Sequence, residues 1–241
     1  MSQSRWVMGA ILMVLGFAGP ALAAKRGGWA MGANLGITTA SQEDMNTLIS
    51  NANKAQGGIT TGGFGTAYEL TGFLNYRFSG SIISLSFRPS YYTNSTSGNN
   101  GSGAPYNYSL SGLTFFPMFH LYLLESKYIR FFVNAGVGLG TLAGEVREDS
   151  ASVEFSGAAS GFQGGLGVEF CFTVNHCVNV EANYRVMDFP RNIASSASGT
   201  FDTANGSLSQ ASAGQEVELK GYDLKTSLTG IIGNIGYIYH F

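Results

Sequence analysis

Alternation of apolar with polar or small residues is the period-two pattern of a strand whose two faces differ, and it recurs eight times between Trp29 and Phe241. The alternating segments are too short and too interrupted for helices. The pattern therefore predicts eight β-strands, each with one apolar face and one polar face. The predicted strands cover residues 29–37, 67–78, 81–91, 108–123, 129–140, 162–172, 178–186 and 229–241.

The connections between these strands alternate between short and long. Short connections lie at 79–80, 124–127 and 173–177, and long ones at 38–66, 92–107, 141–160 and 188–219. Outer-membrane barrels have this asymmetry, with short turns in the periplasm and long loops outside the cell. An even count of eight strands then places both termini in the periplasm.

The first long connection is expected to hold a helix near 41–55, because Ser41 followed by Asp44 resembles a helix N-terminal cap.

The apolar faces indicate the medium that surrounds the strands. Only 12% of residues are charged, about half the usual share for a soluble domain. After Ala24 no apolar run is long enough for a membrane-spanning helix, and without such helices a chain can span lipid only as a closed barrel. We therefore expect an all-β fold over residues 24–241, an eight-stranded antiparallel up-and-down transmembrane β-barrel. A soluble eight-stranded carrier with an apolar interior is the alternative, because period two alone does not say which face is wet.

Aromatic residues near the predicted strand ends argue against the soluble carrier. Outer-membrane barrels carry aromatic girdles at both membrane interfaces. The candidate girdle residues are Trp29, Tyr76, Tyr122, Tyr128, Tyr239 and Phe241 at one end and Tyr91, Tyr92, Tyr108, Tyr184 and Tyr222 at the other.

The amino terminus has the organisation of a secretory signal peptide. An apolar run over residues 6–18 follows Arg5 and precedes Gly19-Pro20 and the triplet 21–23, which is an A-x-A cleavage site. Residues 1–23 are therefore expected to be removed by cleavage between Ala23 and Ala24. A buried amino-terminal helix is the alternative.

The ending Gly-Tyr-Ile-Tyr-His-Phe resembles the carboxyl-terminal signal of outer-membrane barrels. The mature chain is similar in plan to the small barrels of the OmpA-like and OmpW-like families, and it departs from full-length OmpA-type proteins by ending at Phe241 without a peptidoglycan-binding domain. The resemblance implies a monomer in the cell outer membrane that contacts outer-membrane lipids and lipopolysaccharide. It also implies that the barrel assembly machinery, with periplasmic chaperones, reads Tyr237, Tyr239 and Phe241.

The inward faces of the predicted strands carry charges of both signs. They are Glu69, Arg77, Arg88, Arg130, Glu169, Glu181 and Arg185. Because a lumen eight strands wide is just filled by side chains, these residues favour a paired polar core over a conducting path. The conducting alternative depends on a cluster of inward glycines that could leave a void. These glycines are Gly136, Gly138, Gly140, Gly165 and Gly167.

The two cysteines, Cys171 and Cys177, favour a disulfide, because exported proteins fold in an oxidising compartment. Free thiols are the alternative, and a zinc site would need more ligands than His176 nearby. The sequence predicts no cofactor and no metal site. A net charge of −2 gives no basic excess for nucleic acid.

These features predict a structural barrel with a surface role rather than an enzyme. A narrow passive channel for small or apolar solutes is the second possibility, and a lipid-modifying enzyme is the third. A lipid-modifying enzyme would need a nucleophile and a base near the outer rim, whereas His120, His176 and His240 all lie toward the periplasmic end of the predicted barrel. No catalytic residue is therefore predicted.

The third and fourth predicted loops carry an acidic excess. The acidic residues are Glu145, Glu148, Asp149 and Glu154 in the third loop and Asp188, Asp202, Glu216 and Glu218 in the fourth. These carboxylates could bind divalent cations that bridge to lipopolysaccharide. Solubility of exposed loops is the favoured interpretation, because no calcium-loop spacing occurs.

Overall fold

Eight long antiparallel strands close into one ring. The structure, a computed structural model, describes residues 27–54, 59 and 61–241. The predicted signal peptide and the cleavage position at Ala23 and Ala24 lie outside the described residues. The ring strands are β1 (Gly28–Thr38), β2 (Ala67–Arg77), β3 (Ile83–Asn99), β4 (Pro105–Glu125), β5 (Ile129–Glu148), β6 (Ala151–Cys171), β7 (His176–Val186) and β14 (Gly230–His240). Each ring strand pairs with its neighbour along the chain, and β1 pairs with β14. The predicted eight-stranded up-and-down barrel is therefore confirmed.

The remaining elements lie in the first and last connections on the outer side. Helix α1 (Glu43–Lys54) follows β1, which confirms the helix expected there. None of the helices in the described ranges is long and apolar enough to cross a membrane. Between β7 and β14 the chain forms one short 3₁₀ helix and several short strands. These are β8 (Asp188–Phe189), β9 (Ile193–Ser198), the 3₁₀ turn (Thr203–Asn205), β10 (Leu208–Gln210), β11 (Glu218–Leu219), β12 (Tyr222–Asp223) and β13 (Thr226–Ser227).

Two of the four predicted long loops are wrong. The segments 92–107 and 141–160 are mainly strand, because β3 pairs with β4 up to Asn99 opposite Pro105, and β5 pairs with β6 up to Glu148 opposite Ala151. Beyond the membrane a strand no longer needs an apolar outward face, so its sequence loses the alternation that marks the spanning part. Asp149, with a φ of 56°, forms the tight turn between β5 and β6.

The outward side chains of the ring form an apolar belt, defined here by fifteen residues that are each more than a third exposed. This belt confirms that the apolar face points outward, as a barrel in lipid requires. The belt residues are Leu35, Ile37, Leu70, Leu74, Phe87, Leu113, Phe115, Phe119, Val137, Leu139, Phe162, Leu166, Val180, Ile231 and Ile235.

The predicted aromatic girdles are only partly correct. Trp29 and Tyr128 at one end, and Tyr91 and Tyr184 at the other, are about half exposed on the outward face. The structure contradicts four members, because three point into the barrel and one lies on β12 in the last connection. The inward residues have even numbers on strands whose even positions face the lumen. The four are Tyr92, Tyr108, Tyr122 and Tyr222.

Candidate functional site in the barrel lumen

The seven charged residues predicted to face the lumen all lie on its wall. Each falls on the buried set of alternating positions in its strand, because a period of two places residues i and i+2 on one face. They separate into two ion pairs that cross the lumen and one cluster at the periplasmic mouth.

Arg88 on β3 and Glu181 on β7 form the central ion pair. The two guanidinium nitrogens donate to the two carboxylate oxygens at 2.5 and 2.7 Å, and the side chains are 3% and 0% exposed. Asn179 and Asn183 also donate to the Glu181 carboxylate, at 2.6 and 3.0 Å. The carboxylate therefore has four donors, which offset much of the cost of burying its charge.

A second ion pair joins Arg185 on β7 to Glu69 on β2. Arg185 Nη1 donates to Glu69 Oε1 at 3.0 Å, and Nη2 lies 2.9 Å from Oε2. Arg185 Nε also donates to the carbonyl oxygen of Leu228, at 2.9 Å, in the segment that leads into β14. With side chains 0% and 2% exposed, this pair is also almost fully buried.

A cluster at the periplasmic mouth contains the remaining predicted charges. Arg77 makes a two-pronged ion pair with Glu125, with both N–O distances at 2.7 Å. Arg130 lies 3.3 Å from Glu169 and 3.6 Å from Glu125, and His240 Nε2 lies 3.1 Å from Glu169. Side chains of this cluster line a cavity of about 470 Å³ that faces the periplasm.

Glu125 and His240 also belong to this cluster, although neither was predicted to face the lumen. Glu125 had been placed in a turn, but a β-bulge between Tyr122 and Leu124 shifts the register, so Leu124 faces outward and Glu125 inward. No pattern within β4 reveals that bulge. His240 could have been found, because the alternation of the last strand puts even-numbered residues inside.

Apolar side chains fill the lumen beside the two ion pairs, since Phe116 lies directly opposite Arg88 on the adjacent strand. We call this group the apolar plug, and each of its members is at most 1% exposed. Tyr92, Phe116 and Met118 come from the ring, while the others come from the chain between β7 and β14, which folds back into the barrel mouth. The apolar plug consists of Tyr92, Phe116, Met118, Met187, Phe189 and Leu228.

The inward glycines do not leave the void on which the conducting alternative depends. A Cβ on Gly138 would lie 2.5 Å from the Phe116 ring, and one on Gly140 would lie 2.6 Å from the Met187 sulfur. The glycines of β5 and β6 therefore make room for large side chains from neighbouring strands. Their lack of side chains permits the plug.

A hydrogen-bonded group ties the last connection to the barrel beyond the apolar belt. The carboxylate of Glu148, at the outer end of β5, accepts hydrogen bonds from the hydroxyls of Tyr108, at 2.9 Å, and Ser207. Burial raises the pKa of Glu148 above its ordinary value, and the two hydrogen bonds offset only part of that effect. Burial, with the nearby Glu148 charge, also raises the pKa of Tyr108. The Glu148 carboxylate is thus buried and hydrogen-bonded, and it links the last connection to the barrel.

Cys171 and Cys177 face each other across the β6–β7 turn and form a disulfide. Both are buried on the lumen side, in a small apolar cluster with Phe73 and Ile238. Glu169 lies beside them, but sulfur atoms bonded to each other are not thiolate ligands for a metal.

The residues of the predicted assembly signal lie at the seam where the barrel closes. Tyr237 is 46% exposed and Phe241 is 68% exposed, and the Tyr239 ring packs edge-on against Phe241 with centroids 5.1 Å apart. The Phe241 N–H donates to the carbonyl oxygen of Trp29 on β1, at 2.9 Å. The last residue is therefore hydrogen-bonded to β1, the first strand.

Comparison with known proteins gives one family and several structures of similar fold. The family model for the outer membrane protein beta-barrel domain matches residues 9–215 of this chain. OprG of Pseudomonas aeruginosa is 12% identical with a TM-score of 0.55, and the alignment covers 90% of this chain and 97% of OprG. Neisserial surface protein A is 13% identical with a TM-score of 0.44, over 90% and 100% of the two chains. No curated protein sequence matches the chain.

Proposed function

Since the chain belongs to the outer membrane protein beta-barrel domain family, and so resides in the cell outer membrane, we propose that it is a closed barrel with a structural and surface-contact role. The observation that carries this proposal is the double closure of the lumen. The apolar plug fills part of the lumen, and the Arg88–Glu181 and Arg185–Glu69 pairs cross it.

The two closures support the proposal in different ways. Ions cannot pass the apolar plug without losing their hydration, and moving a charge out of water is expensive. Polar solutes would have to displace a two-pronged ion pair whose side chains are almost fully buried. The predicted charge network thereby acts as a rigid polar core.

The surface-contact role is supported by the outer ends of β3 to β6, which extend beyond the apolar belt together with β9. We call this extension the outer sheet. Its outward face consists mainly of small and hydroxyl-bearing residues, which suit hydrogen bonding to the sugars of lipopolysaccharide. These residues include Thr93, Ser95, Ser97, Ala143, Ser156 and Ala158. The apolar belt would contact the acyl chains of outer-membrane lipids.

Swelling of proteoliposomes in isotonic arabinose tests the closed lumen. We expect wild-type barrels to swell no faster than protein-free liposomes. A Phe116→Ala/Met187→Ala variant, which removes two large plug side chains, should swell faster. Swelling by the wild type would support the second candidate, a narrow passive channel, and would contradict the closed barrel.

Thermal unfolding in vesicles with and without lipopolysaccharide tests the surface role. Lipopolysaccharide should raise the Tm of the wild type, and Ser95→Asp/Ser156→Asp should reduce that rise by adding charge to the outer sheet. Ser212→Asp, an exposed position in the last connection, is the control. An equal rise in all three proteins would contradict a surface-contact role of the outer sheet.

The proposal includes no catalytic role, cofactor or metal. It describes the chain as a monomer that reaches the membrane through chaperones and the barrel assembly machinery.

A further inference from the structure

Three polar side chains form a row across adjacent strands in the inner half of the lumen. Ser84 on β3 lies directly opposite His120 on β4, and His120 lies directly opposite Asn134 on β5. Directly opposed residues have Cβ atoms about 5 Å apart, so the three side chains are neighbours. They are 0%, 3% and 5% exposed. We call them the polar row.

The polar row has unused hydrogen-bonding capacity. Five of its atoms have no hydrogen-bond partner among the described residues, namely Ser84 Oγ, both ring nitrogens of His120 and both amide atoms of Asn134. Buried polar atoms are almost always paired with protein or with ordered water, because an unpaired one pays its full desolvation cost. Five such atoms in one place therefore indicate a ligand that both donates and accepts.

The surroundings of the polar row limit the size of that ligand. The His120 ring stacks on Phe132, with centroids 4.9 Å apart and planes inclined by 11°, so one face of the imidazole is covered by an aromatic ring. Phe132 also occupies the space beside Gly167, where a Cβ would lie 2.4 Å from the ring. Asn134 faces Gly165, which offers no side-chain donor. Only a very small ligand fits.

We propose that the polar row is a binding site for internal water. A buried water makes about three hydrogen bonds, so about two waters would satisfy the five atoms. The ligand is uncharged because the nearby charges of Arg88 and Glu181 already neutralise each other in their ion pair. The site is distinct from the charge network, whose members bond to one another.

The periplasm supplies this water. Tyr122, which packs against Phe132 with ring centroids 5.5 Å apart, donates its hydroxyl to Glu169 at 2.9 Å. Glu169 in turn lies 3.1 Å from His240, which lines the mouth cavity. Polar groups thus lead from the mouth toward the row, whereas the apolar plug closes the outer side. The inner lumen is a hydrated chamber that opens only to the periplasm. That single entrance rests on the proposed function, in which the lumen is closed on its outer side.

Magnetisation transfer from water in NMR spectra of the protein in lipid nanodiscs tests the site. We expect transfer to the His120 ring and to the Asn134 side-chain amide. Gln163 provides a matched control, because its buried side-chain amide contacts the Met118 sulfur at the plug and should receive none. Equal transfer, or none, at Asn134 and Gln163 would overturn the proposal.

A pair of matched variants strengthens this test. Asn134→Leu should weaken the transfer to His120 several-fold, whereas Gln163→Leu should leave it unchanged. If Asn134→Leu fails to fold, Ser84→Ala serves instead, with a smaller loss expected. Unchanged transfer to His120 in a folded Asn134→Leu or Ser84→Ala variant would contradict a shared water site.

Osmotic shrinkage of proteoliposomes by stopped flow tests the single entrance. A chamber closed on its outer side predicts the same water permeability as lipid alone. A raised permeability would overturn the single entrance while leaving the NMR result on the polar row standing. The two parts of the proposal can therefore fail separately.

Discussion

Removing either partner of the Arg88–Glu181 pair should destabilise the barrel strongly and unequally. Glu181→Gln leaves the Arg88 charge buried with little compensation, since its other contacts are Ser86 at 3.4 Å and the Phe73 ring at 5.4 Å. Arg88→Met leaves the Glu181 carboxylate with its two asparagine donors. The variant that keeps the arginine should therefore lose more stability.

The size of the loss follows from burial. Breaking a buried ion pair by removing one partner costs about 3–5 kcal/mol. We expect Glu181→Gln near the upper end of that range and Arg88→Met near the lower end. With a urea slope of about 2 kcal/mol per molar, even the smaller loss shifts the unfolding midpoint by about 1.5 M.

Urea unfolding in lipid vesicles measures these shifts, and Trp29 is the one tryptophan of the predicted mature chain, so its fluorescence reports on the barrel. The double variant Arg88→Met/Glu181→Gln removes both charges and should lose less stability than Glu181→Gln alone. Arg191→Met is the control, because that side chain is 70% exposed and should change stability by less than about 1 kcal/mol. Additive losses in the double variant, or single losses as small as the control, would refute the buried pair.

Four further predictions concern other parts of the barrel. Gly138→Val should abolish folding, because even its Cβ would lie 2.4 Å from a backbone oxygen, whereas Gly72→Ala, whose Cβ meets nothing closer than 4.0 Å, should fold normally in a gel-shift assay. Because the pKa of Glu148 is raised on folding, its native state holds the proton more tightly, so stability should fall as the pH rises from the ordinary glutamate range through the raised value. Urea unfolding should show this slope in the wild type and not in Glu148→Gln. Reducing Cys171–Cys177, which closes a loop with a sequence separation of 6, should lower the unfolding free energy by about 2 kcal/mol, and an unchanged urea midpoint would contradict this. Deleting Phe241 should lower the yield of folded barrel, and an unchanged yield would contradict its role in assembly.

The membrane-spanning part of the fold was predictable because contact with lipid requires an apolar side chain at every outward position. Every outward residue between Ile129 and Leu139 on β5 is apolar or alanine, and every inward one is free to be polar or glycine. Past Thr141 the strand meets water, so the rule no longer applies and the same strand looks like a loop. The outer sheet was missed for that physical reason.

The candidate site was predictable in its charges but not in its contacts. Alternation along β7 places Glu181 and Arg185 inside, but their partners on β3 and β2 depend on the closure of the ring. The plug depends on cross-strand register, which sets Phe116 beside Gly138 and Met118 beside Gly136. A pattern along a single strand does not contain that register.

Single-channel recording of the purified protein in a planar lipid bilayer tests the closed lumen most directly. The plug and the Arg88–Glu181 pair predict no stable current steps above the lipid baseline at moderate voltage. The Phe116→Ala/Met187→Ala variant should produce small steps, which would show that inserted barrels are detected. Large, stable steps from the wild type would contradict the account.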